Sequence, residues 1–370
     1  MIISAKPLRP VKAVLSATMP DIYGFSNGRQ ALHFAITTLV KNRHPSLLVP
    51  ALFCQSALDD CTGADIHFYD VNDDGSLDVE VLCRRIGDGN FDVLIVNHLF
   101  GQTPAGRSTI YAACKDAKTL MIDDMCHCPI AWLANNRSQN YNDYDACLFS
   151  FRKFLAVAGG GGVAIHHRFK GESKIGTVRI SLASRVKLLM ERMVFAINQY
   201  WLLRLLMRLR PDAPNMVLPD NMKISGGELA PAKRAAHLSN AIASMIADEQ
   251  LIDEIGSRRR NNYAALAAVV TPLNTRFSDG DAPQVFALRD TRDSVGKMMR
   301  QMGVSCFNWP GAELPSVVRQ RRSEFPHAVD LADEILCLPV HQDLSDTQLD
   351  HIVKSLTIAS KTLLNQMGGQ

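Results

Sequence analysis

The sequence predicts an α/β protein in three layers, with a mostly parallel central sheet between two layers of helices and a small α+β domain at the carboxy terminus. From residue 29 to about residue 166, helical patterns alternate with short apolar runs, which is typical of parallel strands joined by crossover helices. Most of these runs lack a polar–apolar alternation, as expected for a sheet covered on both faces. A chain of 370 residues is long enough for about two domains.

Six apolar runs are predicted as strands of the large sheet. They are LLVP (47–50), IHFYDV (66–71), VLIVNHLF (93–100), LMID (120–123), CLFSF (147–151) and GVAIH (162–166). Helices are predicted over 29–41, 77–86 and 108–117, where apolar residues recur three and four positions apart. Helices should therefore cover the sheet.

A second region begins near residue 240, where the pattern predicts one long amphipathic helix over 242–270. A strand over 284–289, a helix over 295–303 and a final helix near 346–363 follow. We therefore predict a large domain over 1–240 and a small domain over 241–370.

An apolar helical stretch over 182–210 is predicted as an insertion in the large domain. Six arginines and lysines interrupt it, and its longest uncharged run, 193–203, is shorter than the roughly 20 residues that cross a bilayer. The stretch could pack in a dimer interface or over the large domain. Alternatively, it could rest as a basic amphipathic helix on a membrane surface or a lipid-linked substrate.

The composition is that of an ordinary globular protein. Forty basic side chains against 37 acidic ones give a net charge of +3, too small for a field that would recruit nucleic acid. The nine cysteines are scattered and lie mostly in apolar segments, which favours reduced core thiols over disulfides. The amino terminus lacks an apolar segment followed by a cleavage site, which predicts a cytoplasmic protein.

Asp123 and Asp124 follow the strand LMI, at the edge where open α/β sheets bind ligands. A carboxylate there can keep a pyridinium nitrogen protonated, and a protonated ring makes pyridoxal phosphate (PLP) an electron sink. The same pair could instead bind a metal or cap the next segment. The adjacent Cys126-His127-Cys128 is too compact to close a zinc tetrahedron, so no metal site is predicted.

Two other segments carry candidate chemistry. Lys153 follows the strand that ends near Ser150 and precedes four glycines at 159–162; a lysine there could form a Schiff base, and glycines let the backbone approach a ligand. Gly28 and Arg29 open a helix after a turn. The free N–H groups and dipole of a helix start suit a phosphate, to which Arg29 could add charge.

Taken together and in this order, these segments resemble the DegT/DnrJ/EryC1/StrS family of PLP-dependent sugar aminotransferases, over about residues 20–358. The motifs are NGRQALHFAI (27–36), VPALFCQSA (49–57), NHLFGQTPA (97–105), MIDDMCH (121–127), LFSFRKFLAVAGGGG (148–162), LPDNMKIS (218–225), RRRNNYAAL (258–266) and ILCLPVHQDLSDTQLDHIVKSL (335–356). The resemblance implies the aspartate-aminotransferase fold (fold type I), with a three-layer PLP-transferase large domain.

The resemblance also implies the site residues. Lys153 would be the catalytic Schiff-base lysine, Asp124 would hold the ring nitrogen and His127 would lie near the phenolic oxygen. The remaining cofactor-binding residues would be Gly28, Arg29, Gln30 and Ser150 at the phosphate, Phe53 as the stacking aromatic, and Asn221, which would reach the phosphate in the neighbouring subunit of a homodimer.

The sequence departs from the family's pattern at two of these places. Cys54 stands where the stacking aromatic is usual, and Phe53 is one position early. Lys153 follows Phe151 by two residues where the family commonly has four, although counting back from the glycines aligns it.

The activity implied by the resemblance is transfer of an amino group from an amino-acid donor to a keto-sugar, in this family mostly one linked to a nucleotide, in polysaccharide or glycoconjugate biosynthesis. Two alternatives remain open. A PLP-dependent sugar dehydratase would follow if Lys153 is not the Schiff-base lysine. A PLP-free relative could serve as a binding or scaffold subunit.

Overall fold

A computed structural model describes residues 22–40, 44–137, 143–155, 157, 160–169, 176–177, 236–237, 240–273, 277–278 and 280–367. Asn221, Gly159 and the predicted insertion at 182–210 lie outside these residues. Among the described helices, none is both long enough and apolar enough to cross a membrane.

The large sheet has nine strands. They are β1 (Ile22–Phe25), β2 (Ser46–Pro50), β3 (Asp65–Tyr69), β4 (Val93–Asn97), β5 (Leu120–Asp124), β6 (Ala146–Ser150), β7 (Gly161–Ile165), β8 (Gly176–Thr177) and β9 (Ala236–His237). Their order is β3-β2-β4-β5-β6-β7-β1-β9-β8. The five strands from β3 to β6 in this order are mutually parallel, whereas β7 is antiparallel to β6 and β1. The predicted, mostly parallel sheet is confirmed.

Helices cover both faces of this sheet. They are α1 (Gly28–Leu39), α2 (Gln55–Leu58), α3 (Val79–Asp88), α4 (Arg107–Ala117) and α5 (Pro129–Arg137). On one face Leu48 and Leu94 pack with apolar side chains of α3 and α4. On the other face the alternate residues Leu47 and Ile95 pack with α1. Because successive residues of a strand point to opposite faces, the covered sheet explains the uninterrupted apolar runs.

The remaining chain forms a second, three-stranded antiparallel sheet with its own helices. The elements are α6 (Asn240–Ala247), α7 (Glu249–Ala267), β10 (Val285–Arg289), α8 (Ser294–Gln301), β11 (Phe307–Asn308), α9 (Ser316–Gln320), α10 (Pro326–Glu334), β12 (Ile335–Pro339) and α11 (Asp346–Met367). The strand order is β10-β12-β11. Phe286, Leu338 and Leu356 share a core cluster between this sheet and α11. The domain boundary at residue 240 stays a prediction.

The single helix predicted over 242–270 is wrong, because Asp248 separates α6 from α7. Its backbone is extended, with φ −82° and ψ 95°, and its carboxylate accepts the N–H of Leu251 at 3.0 Å. Aspartate is a favoured residue at a helix N-cap because it satisfies such a free N–H. The apolar periodicity continues through the break, so periodicity alone does not reveal it.

Candidate functional site

The candidate site lies at the edge of the large sheet where β1, β5 and β6 end. Since β7 is antiparallel to both β1 and β6, those two strands run in the same direction. Phe25 of β1 and Ser150 of β6 both pair with Gly161 of β7. The segment after β1 and the segment after β6 therefore leave the sheet side by side. Asp124 is the last residue of the neighbouring β5.

Glycines allow the start of α1 to pack directly on these strand ends. A Cβ built on Gly161 would lie 2.3 Å from the carbonyl carbon of Asn27, so no other residue fits at position 161 without moving the backbone. A Cβ on Gly28 would lie 3.3 Å from the sulfur of Cys126, two residues after Asp124. The amino terminus of α1 is thus close to the end of β5.

The first turn of α1 divides its N–H groups between a cap and the site. Asn27 caps the helix, because its side-chain oxygen accepts the N–H of Gln30 at 3.0 Å. The first N–H groups of a helix have no intrahelical acceptor and suit an anion. With the N–H of Gln30 used by the cap, the N–H groups of Gly28 and Arg29 remain for such an anion. The guanidinium of Arg29 is 3.1 Å from Asp59. In this structure the Gln30 N–H is therefore used internally, and the charge of Arg29 is paired.

Asp123 and Asp124 point to opposite faces of β5. Asp123 is fully buried and faces α4, where its two carboxylate oxygens accept Arg107 Nε at 2.8 Å and a terminal guanidinium nitrogen at 2.6 Å. His98 Nε2 lies 2.8 Å from the same carboxylate. Burial would raise the pKa of Asp123, but Arg107 and His98 outweigh it and lower the pKa. Asp123 is therefore a buried structural anion.

Asp124 is the carboxylate that belongs to the site. Its side chain is 8% exposed, and its Oδ1 accepts the backbone N–H of Cys126 at 3.0 Å. The acid singled out from the sequence thus stands at the strand end, next to the start of α1.

Replacing Asp123 with asparagine should destabilise the protein far more than the same change at Asp124. Asparagine at 123 removes the carboxylate charge that faces Arg107, and breaking a buried ion pair in this way costs about 3–5 kcal/mol. Urea unfolding of the two variants measures the difference. Equal losses of unfolding free energy would contradict the separate roles of the two aspartates.

Lys153 follows β6 within a single 3₁₀ turn, Phe151–Lys153. Its side chain is half-buried, and its charge acts on the thiols of Cys54 and Cys126 and on the imidazole of His127. The charge of Asp124 also raises the pKa of both thiols. With the shortened spacing after β6, the charge of Lys153 and the charge of Asp124 therefore still act on the same two thiols.

The thiols of Cys54 and Cys126 are neutral at physiological pH. Burial raises the pKa of Cys54 to about 11, and burial together with Asp124 raises the pKa of Cys126 well above its usual value. Because the thiolate is the reactive form of cysteine, neither side chain competes with the lysine amine as a nucleophile.

His127 is a neutral imidazole held in one tautomer. Burial, assisted by the charge of Lys153, lowers the pKa of His127 well below its usual value. Its Nδ1 accepts the backbone N–H of Phe100 at 3.4 Å, which leaves the proton of the neutral ring on Nε2. The ring stacks on Phe100, and Trp309 meets its edge. Nε2 can therefore donate a hydrogen bond to a ligand oxygen.

Acidification below about pH 6.5 should destabilise the fold through its buried histidines. Burial lowers the pKa of both His127 and His341 well below 6.5, so in this range the unfolded chain binds protons that the folded chain does not. Each such histidine lowers the unfolding free energy by up to about 1.4 kcal/mol per pH unit. Urea unfolding between about pH 7 and about pH 5 measures the slope.

The variant His127→Asn should remove one histidine's share of that slope. Replacement of the exposed His327 is the matched control for the substitution itself. An unchanged slope in His127→Asn would show that His127 takes up protons in the folded protein.

The structure adds one aromatic residue, Trp309, that the sequence did not reveal. Phe53 is 3% exposed and belongs to the main core cluster. Trp309 follows β11 and partly offsets the burial that raises the pKa of Cys54; its ring lies 5.3 Å from that of His127, centroid to centroid. Trp309 joins the site across more than 180 residues of sequence, so no local motif marks it.

The other predicted residues are placed as follows. Ser150 is buried at the end of β6, in register with Gly161. Cys128 is turned away from Cys126, with its sulfur 3.1 Å from the carbonyl oxygen of Gly101. In the part of the chain that the structure describes, no three His, Cys, Asp or Glu side chains are grouped to hold a metal ion.

No protein-family model matches the sequence, and the comparison with curated proteins found no match. The structure, however, is similar to solved aminotransferases. Spr1654 of Streptococcus pneumoniae in its PMP form is 15% identical with a TM-score of 0.64, over 95% of this chain and 88% of that chain.

Two further solved structures have the same architecture. The sugar aminotransferase CalS13 of Micromonospora echinospora is 16% identical with a TM-score of 0.57, over 91% of this chain and 87% of that chain. A DegT DnrJ EryC1 StrS aminotransferase from Brucella abortus is 16% identical with a TM-score of 0.57, over 90% and 84%. The chain therefore has the fold of these aminotransferases.

Proposed function

We propose that this chain is a PLP-dependent aminotransferase that moves an amino group from an amino-acid donor to a keto-sugar. The observation that carries the proposal is the meeting of Asp124, Lys153 and the start of α1 at one sheet edge. The solved structures with the same fold include a sugar aminotransferase and a protein in its PMP form, which supports this reaction class.

The residues present fit the cofactor in charge and in arrangement. PLP carries a phosphate at one end and a basic ring nitrogen at the other. The free N–H groups of Gly28 and Arg29 suit the anion, and Asp124 is the carboxylate across the site. Cys126 lies between these two groups, in contact range of Gly28 and bonded to Asp124 through its N–H.

Each side chain then has a distinct task. Bound PLP supplies an electron sink for a carbanion. Asp124 would hold a proton on the ring nitrogen, and His127 Nε2 would donate a hydrogen bond to the phenolic oxygen. The amine of Lys153 would hold the cofactor and would accept and return the proton at the donor's Cα, a transfer that one positioned amine can perform in both directions.

Finer parts of the proposal concern the acceptor and the assembly. We propose a nucleotide-linked acceptor and a cytoplasmic homodimer in which Asn221 reaches the neighbouring subunit's phosphate site. Phe53 and Ser150 complete the cofactor-binding set in this proposal, with Phe53 as the stacking aromatic and Ser150 at the phosphate.

Spectroscopy of the purified protein tests the function. After addition of PLP we expect a visible band near about 420 nm from a Schiff base, and borohydride should fix the label on Lys153. Addition of glutamate without acceptor should then bleach the band, because the amino group moves to the cofactor.

A band that glutamate does not bleach would contradict amino transfer from this donor, and failure with every amino acid tried would favour the dehydratase. A protein that binds no chromophore would overturn the proposal and favour the scaffold alternative.

A further inference from the structure

Arg259 of α7 is a fully buried cation with 1% of its surface exposed. Its guanidinium donates to four oxygens: the Gln342 side chain at 2.7 Å and the carbonyls of Lys153, Pro283 and Gln284 at 3.0, 3.1 and 3.1 Å. It also stacks on the ring of Phe154 at 4.2 Å. Burial lowers the pKa of Arg259 to about 9, which leaves the group charged at neutral pH.

Arg259 and Gln342 together bind two consecutive backbone carbonyls at the end of the 3₁₀ turn that carries Lys153. The carbonyl oxygen of Lys153 accepts from Arg259, and that of Phe154 accepts from the side-chain amide of Gln342 at 2.9 Å. Carbonyls at the end of a helical turn have no partner within the turn. The side-chain oxygen of Gln342 accepts in turn from Arg259, so the two side chains form one unit, which we call the lysine clamp.

The same guanidinium is linked to the opposite wall of the site. It binds the carbonyl of Gln284, whose N–H donates to the carbonyl of Phe100 at 2.9 Å. Phe100 in turn fixes the tautomer of His127 through its own N–H. One buried cation therefore connects the backbone of Lys153 with the backbone that orients His127.

We propose that the lysine clamp, Arg259 and Gln342, sets the direction of the Lys153 amine. The two are positioning residues, and the proposal rests on the role proposed above for Lys153. Fixing both carbonyls fixes the backbone from which the lysine side chain departs. A misplacement of about 1 Å at a reacting group can cost about 100-fold in rate, so the clamp compensates for a turn two residues shorter than usual in the family.

Two variants test the clamp without removing the buried charge. In Gln342→Glu, the carboxylate still accepts from Arg259 but has no N–H for the carbonyl of Phe154. In Arg259→Lys, the charge remains but cannot serve four acceptors at once. The matched control is Arg258→Gln, because the neighbouring Arg258 binds the carbonyl of Leu344 and the carboxylate of Asp346.

The first readout needs no cofactor. Trace labelling with an amine reagent, followed by mass spectrometry, gives the reactivity of Lys153 against pH relative to the exposed Lys118. We expect the Lys153 profile to shift in both clamp variants and to stay unchanged in Arg258→Gln. Unchanged Lys153 profiles in folded clamp variants would overturn the proposal.

The second readout is the rate at which added PLP is fixed to Lys153 by borohydride. We expect a decrease of about tenfold or more in the clamp variants, with a normal melting temperature in Gln342→Glu. If labelling shifts but the parent protein never binds PLP, the clamp stands and the proposed function fails. If the parent binds PLP and the variants bind it equally fast, the clamp is overturned alone.

Discussion

Replacing Lys153 with alanine should abolish amino transfer, with a loss of about 10⁴-fold in kcat. In the role proposed for Lys153, the variant would lose both the amine that attaches the cofactor and the group that moves the Cα proton, and general acid–base catalysis alone contributes up to about 10⁴-fold. Turnover with glutamate and a keto-sugar acceptor measures the loss. The visible band of the PLP-loaded protein should disappear with it.

Arg152→Ala is the matched control for this substitution. Arg152 occupies the same 3₁₀ turn, one position earlier, but its side chain is exposed. The Arg152→Ala variant should retain the visible band and most of the activity. A band that persists in Lys153→Ala would show that another amine binds the cofactor and would revive the dehydratase alternative.

Replacing Asp124 with asparagine should lower kcat by about 10²–10³-fold while the protein still folds and binds PLP. Asparagine keeps an oxygen for the N–H of Cys126 but cannot hold a proton on the ring nitrogen by charge. Electrostatic groups aimed at charge that develops in the transition state are each worth about 10²–10³-fold. Single-turnover decay of the visible band after addition of glutamate isolates this step.

Asp124→Glu separates charge from position in this experiment. It restores the carboxylate with one more methylene, so it should recover part of the rate that asparagine loses. Equal rates for the parent protein and Asp124→Asn would contradict the assignment of Asp124 to the ring nitrogen.

The layout of the sheet could be predicted because its physical cause is local. Buried strands of a parallel sheet carry apolar side chains on both faces, and all six predicted runs coincide with strands to within two residues at their starts and three at their ends. The run VLIVNHLF extends three residues beyond the end of β4, because Leu99–Gly101 forms a 3₁₀ turn. Apolar composition alone cannot distinguish such a turn from continued strand.

The site could be predicted only in part. Asp124 and Lys153 each follow a predicted strand, so topology brings them to one edge. Trp309 arrives from the second sheet through contacts that no sequence spacing encodes. Phe53 stays a prediction, and the charges of Lys153 and Asp124 act on the next residue, Cys54.

The burial of Arg259 could have been predicted from its position in the sequence. Arg259 stands among three consecutive arginines, which resemble a solvated helix face. The buried residues of α7 include Ile252, Ile255, Asn262 and Leu266, and Arg259 falls on the same stripe at helical spacing. A cation on an apolar stripe indicates a buried polar network, whereas its acceptors could not be foreseen.

Because Asp123 and Asp124 point to opposite faces of β5, folding and activity depend on the register of this strand and not only on which residues it contains. Deleting a single residue just before β5, such as Thr119, would shift the strand by one position and send each aspartate to the face that the other now occupies. Asp124 would then lie opposite Arg107, and Asp123 would take the place of Ile122, on the face of the site but two residues short of the strand end. Every side chain needed for folding and chemistry would still be present, yet we expect neither to survive, because identical neighbours on a strand are not interchangeable.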